Sequence, residues 1–149
     1  MKNSKGFSLI ELLLGIFLTG IIVITFFPII NTSLNNIYLA KEKVLMLLEI
    51  ESIIERIKAY DYLDQNEYIF DMKIEDLINI LCSADNISII LPLDNDDMAY
   101  EYSCKIYKKN RGDQIWELSV ELKHGKNTKI KEMDVITIIF APTKGGMNN

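Results

Sequence analysis

Hydrophobic and polar positions divide the chain into three regimes. From Phe7 to Ile30 the residues are apolar apart from Glu11 and a few small or hydroxylated side chains, and no charge occurs from Leu12 to Ala40. As a helix, this stretch is long enough to cross a bilayer core of roughly 30 Å. From Asn31 to Tyr60 the apolar positions recur at helical spacing in two stripes. One holds Leu34, Ile37, Tyr38, Leu45 and Leu48; the other holds Met46, Ile50, Ile53 and Ile57. Two stripes predict two partners, a globular domain on one side and neighbouring chains on the other. The alternative is that both stripes are core. A single helix from Phe7 to Tyr60 would be about 80 Å long at 1.5 Å per residue, with most of it lacking a domain-sized cover.

The third regime begins at Asp61. Residues 61–72 read as a connecting loop with a short strand at Tyr68-Ile69-Phe70. Ile74, Leu77, Ile78 and Leu81 then step as a short amphipathic helix, broken at Asp85-Asn86. Strand patterns follow, separated by turns at Asp94–Asp97, Asn110–Asp113 and His124–Asn127. Ile87–Leu91 ends at Pro92. Tyr100, Tyr102, Cys104 and Ile106 alternate with polar residues, as do Trp116, Leu118, Val120 and Leu122. A β-branched run from Ile130 to Phe140 stops before Pro142. The expected fold class is α+β: a long N-terminal helix, membrane-spanning in its first half, packed against a small antiparallel β-meander. The expected boundaries are 7–30 for the membrane half of the helix, 31–60 for its extramembrane half, 61–142 for a globular α+β domain and 143–149 for a flexible tail.

The start of the chain brings in chemistry. A short polar leader, Met1 to Gly6, carries Lys2 and Lys5, which would hold it in the cytoplasm by the positive-inside bias. A secretory signal peptide is cut after its apolar region, next to small residues. Here the plausible cut precedes the apolar region, so the helix would be kept. Glu11 is the anomaly, because a carboxylate in a membrane helix costs about 2.5–3.5 kcal/mol on insertion scales. Pro28 should kink or locally loosen the helix, since it lacks an N–H and crowds the carbonyl four residues back. Gly15 and Gly20 permit close helix approach in lipid.

Gly6-Phe7-Ser8-Leu9-Ile10-Glu11 resembles the processing site of type IV prepilins and the related pseudopilins of type II secretion and competence systems. Gly20 and Pro28 also fall where that family often has a glycine and a proline. The likeness covers about the first 30 residues; Phe26-Phe27 departs from it, where the family often has small residues. The resemblance implies a prepilin-like fold, a cut between Gly6 and Phe7 by a prepilin peptidase, and N-methylation of Phe7. It also implies extraction from the membrane into a helical filament of pilin subunits by an assembly platform protein and ATPase. Glu11 would then set subunit registration by meeting the freed amine of a neighbour's Phe7, since opposite charges attract strongly in low dielectric.

On this reading the chain is a minor pilin or pseudopilin, a structural subunit and not an enzyme. It would sit as a single-pass protein in the cytoplasmic (inner) membrane, in contact with lipid, and later in an extracellular or periplasmic filament. Two rivals stand beside it: a competence-pilus subunit that binds DNA for uptake, and an unprocessed signal-anchored surface domain.

Composition trims these options. The 149 residues carry a formal net charge of -5, which discourages nonspecific binding to nucleic acid. The charge is uneven. Asp61 to Glu101 holds eleven acids and one lysine, whereas Lys105 to Lys131 holds eight Lys/Arg and three acids. The basic segment would orient subunits or, in the DNA reading, form a strip of Lys105, Lys108, Lys109 and Arg111 with Tyr107 for stacking. Solvated strand faces and hairpin tips are the plainer reading. Cys82 and Cys104 are an even pair, and a disulfide between them would close a loop of about 20 residues and add roughly 3 kcal/mol; two buried thiols are the alternative. Asp94, Asp96 and Asp97 match no complete calcium-loop pattern. Arg111-Gly112-Asp113 spells an adhesion tripeptide made of ordinary turn residues. One histidine and two distant cysteines set up no zinc site. No nucleophile elbow or phosphate loop occurs, and no cofactor or metal is expected.

Overall fold

The structure is a computed structural model, and it describes residues 8–60, 67–93, 100–125, 129–130 and 132–142. In chain order the elements are α1 (Leu9–Lys58), β1 (Tyr68–Ile69), β2 (Met72–Lys73), α2 (Ile74–Cys82), β3 (Asn86–Leu91), β4 (Tyr102–Gly112), β5 (Ile115–His124) and β6 (Met133–Phe140). The chain divides into two units, Met1–Ala40 and Lys41–Asn149. The predicted α+β layout is what forms: a long apolar N-terminal helix whose later turns pack against an antiparallel sheet.

In the first unit α1 begins at a cap. Ser8 precedes the first helical residue, and its backbone N–H donates to the Glu11 carboxylate at 2.9 Å. The helix then runs unbroken through Pro28, which costs the ladder one hydrogen bond without ending it. Thr19 and Thr25 donate their hydroxyls to the carbonyls of Gly15 and Ile21, so neither leaves a bare polar group on the helix surface. Every side chain from Ser8 to Tyr38 is exposed. An apolar surface of this extent is not stable in water and calls for lipid or other helices around it.

In the second unit the later part of α1 supplies Met46, Ile50, Ile53, Ile54 and Ile57 to a core. Their spacing puts them on one helical face, one above another. Opposite them lies the inner face of a four-stranded antiparallel meander of order β3-β4-β5-β6. Its register aligns Leu91, Cys104 and Leu122 in one row and Ile89, Ile106 and Val120 in the next. All six are buried. The small α2 adds Ile74, Leu77, Ile78 and Leu81, the four positions its periodicity predicts. Its first N–H, that of Ile74, donates to the Glu67 carbonyl, and Ser83 closes the far end on Ile80.

Three expectations change. The turn predicted at Asn110–Asp113 is displaced, because β4 continues to Gly112 and the reversal falls at Asp113-Gln114, with Gln114 at φ 74°. Asn110 is drawn into the sheet by Asp85: its backbone N–H donates to the Asp85 carbonyl at 2.8 Å and its side-chain amide to the Asp85 carboxylate at 2.6 Å. The turn predicted from His124 starts one residue later, since His124 still pairs with Tyr102. The disulfide is not formed, and Cys82 and Cys104 are both free thiols. Cys104 is buried in the core, whereas Cys82 is exposed. The Asp94–Asp97 turn and the 143–149 tail lie outside the described residues.

Candidate functional site

Glu11 sits in the first turn of α1, three residues after Ser8. A Ser-x-x-Glu spacing lets the glutamate reach back to the N-cap backbone N–H, and the 2.9 Å bond is that contact. A carboxylate here also complements the positive end of the helix dipole. The contact gives Glu11 a local role besides the registration role that the resemblance implies; the signal was the capping-box spacing ahead of an apolar run. Gly6 and Phe7 lie outside the described residues. From Glu11 a shallow groove follows the helix past Gly15, Thr19 and Gly20, walled by Leu12, Ile16, Val23 and Ile24. It exists because the glycines have no side chains; a Cβ added at either one would meet nothing within 4 Å.

The two helical stripes have opposite fates. Met46, Ile50, Ile53 and Ile57 are core, while Leu34, Ile37, Tyr38, Leu45 and Leu48 are all exposed. A second uncovered apolar strip lies on the outer face of the edge strand β6, at Ile136, Ile138 and Phe140.

The basic strip does not assemble as a surface. Lys108 is 1% exposed and points into the core face between β3 and β5. Its ammonium donates to the Ala84 carbonyl at 2.8 Å and lies 4.7 Å from the Trp116 ring centroid. Burial pushes its pKa down. The alternation Cys104, Ile106, Lys108 already marks an inward position, which reading the lysines as a charge run overlooked. The other three cations face acids: Lys105 is opposite Glu121, Lys109 is opposite Glu117, and the Arg111 guanidinium is paired with Glu117. That pairing also engages the cation of the Arg111-Gly112-Asp113 tripeptide. Burial pushes the Cys104 thiol up to about 12, with Glu49 and Glu121 adding to the shift, so it is an inert neutral group and not a nucleophile.

Residues 1–27 match the family model described as the prokaryotic N-terminal methylation motif, the type IV prepilin-type signature. With the long apolar helix that follows, the match supports a type IV pilin or pseudopilin family member, and this architecture suits a membrane-anchored single-pass subunit that assembles with other pilin subunits. No curated protein and no solved structure matches the chain.

Proposed function

We propose that the chain is a minor pilin or pseudopilin whose work is mechanical. The observation that carries this reading is a processing-type motif joined to an apolar helix exposed at every residue from Ser8 to Tyr38. In the proposal, prepilin peptidase cuts between Gly6 and Phe7 and Phe7 is then methylated. The subunit waits in the inner membrane and passes into a filament, drawn by a platform protein and its ATPase. Glu11 pairs with the Phe7 amine of another subunit, which gives the buried carboxylate a counter-charge. The groove past Gly15 and Gly20 lets a neighbouring helix approach, and Leu34, Ile37, Tyr38, Leu45 and Leu48 extend the contact beyond the bilayer.

Mass spectrometry of protein from a host with its peptidase tests the first step. The reading expects loss of Met1 to Gly6 and one methyl group on Phe7. Gly6→Val, which puts a branched side chain at the cut, should block both. Normal processing of that variant, or an intact leader on the wild type, would refute it and favour an unprocessed anchor.

A further inference from the structure

Glu42, Glu101 and His124 are far apart in sequence, yet one donor atom from each lies within 4.8 Å of the other two. The fold explains the meeting. Glu42 stands one turn before Met46 and so shares the helical face that packs on the sheet. Tyr102 and His124 are cross-strand partners two positions beyond the buried Cys104–Leu122 pair, so both stand on that same inner face, at the open end of the ladder. Glu101 immediately precedes β4, and its carbonyl accepts the Gly125 N–H at 3.0 Å, which holds the two chain segments together there. The Tyr102 ring meets the imidazole edge-on at 5.2 Å.

The His124 side chain is only 7% exposed, whereas that of Glu101 is 63% exposed. Its Nε2 lies 3.6 Å from Glu101 Oε1, within ion-pair reach. At metal–donor distances of about 2.1 Å a tetrahedral edge is about 3.4 Å. The 3.6 Å separation is close to that edge, so the two groups are spaced as two ligands of one ion would be. A nearly buried imidazole with two carboxylates is a donor set for a first-row transition ion, since calcium and magnesium prefer oxygen alone.

We propose that Glu42, Glu101 and His124 bind a divalent transition ion of the zinc class, which clasps α1 to the ends of β4 and β5. Three protein ligands leave a fourth position for water on the side where Glu101 is exposed. The clasp falls where the helix begins to pack on the sheet, so it fixes the point at which α1 joins the domain.

The test uses tag-free, full-length protein in detergent, in a Cys82→Ser background that removes the exposed thiol as a competing ligand. Zinc titration followed by calorimetry should give one ion per chain, and cobalt substitution should give the intense visible bands of a four-coordinate site. Glu101→Gln keeps shape at an exposed position and should weaken zinc at least tenfold. His124→Gln should abolish the cobalt bands, and magnesium should not compete. A zinc-induced rise in melting temperature should vanish in Glu101→Gln while its metal-free melting stays near wild type. Sub-stoichiometric zinc, or binding unchanged in both variants, would overturn the site and leave a His124–carboxylate ion pair in its place.

Discussion

Ile50→Ala and Leu48→Ala, two residues apart on α1, should have opposite consequences. Ile50 is fully buried, and Leu48 is 54% exposed. Truncating a buried isoleucine removes its transfer free energy and leaves a cavity, at about 2–5 kcal/mol. The lower-middle value of ~3 kcal/mol is a factor of about 150 in the folding equilibrium, or a drop of about 10–15 °C in melting temperature for a fragment of this size. Leu48→Ala gives up little burial and keeps a strong helix former, so it should stay within about 0.5 kcal/mol of wild type. Urea and thermal unfolding of a fragment from Asn31 onward, followed by circular dichroism, measures both. If the outer stripe is an assembly surface, Leu48→Asp should leave that fragment folded yet lower incorporation of the full-length subunit into filaments. Equal destabilisation by the two alanine variants would refute the division of the stripes.

The cysteines give a second check: without denaturant an alkylating reagent should label Cys82 and spare Cys104, and full protection of both would restore the disulfide. Because an unfolded cysteine ionises near 9 and Cys104 near 12, the unfolded state holds fewer protons between those values. Wild-type stability should therefore fall there by up to about 1.4 kcal/mol per pH unit, and Cys104→Val should remove that component of the fall. The depressed Lys108 pKa acts the other way, contributing stability that rises with pH up to its unfolded value of 10.5. At neutral pH Lys108→Met should stay within about 1 kcal/mol of wild type, because it keeps the stem on Trp116 and removes a desolvated charge. Lys108→Ala should cost about 2–4 kcal/mol through the lost packing, and equal losses in the two variants would contradict that account.

Periodicity carried most of this fold. The 2.0 and 3.6 repeats placed α1, α2 and the strands because burial enforces them residue by residue, as at Leu118, Val120 and Leu122. It failed where a single long-range bond decides the backbone. Nothing local announces that Asp85 will draw Asn110 into the sheet and push the turn to Asp113-Gln114. The Ser8–Glu11 cap was readable, because its partners are three residues apart. The Glu42–Glu101–His124 cluster was not, because it arises only when the helix lies on the end of the meander. Lys108 lies between these cases: its place in the alternation pointed inward while its charge pointed to water, and a long stem reaching Ala84 accommodates both.

Glu11→Val tests the proposal that Glu11 registers one subunit against the next. The substitution removes a charge from the apolar helix, so membrane insertion becomes cheaper. It also removes the Ser8 cap contact, a loss of about 0.5–2 kcal/mol confined to the first turn. If Glu11 pairs with the Phe7 amine of another subunit as proposed, the variant also strands that amine in low dielectric, where losing one partner of a buried pair costs about 3–5 kcal/mol. The measurement is the ratio of filament-incorporated to membrane-retained protein, with leader removal followed in parallel and Glu11→Gln as the neutral isostere. Both variants should show normal cleavage, normal or raised membrane levels and little incorporation. Normal incorporation of Glu11→Gln would show that Glu11 serves only to cap its own helix, and would contradict the claim.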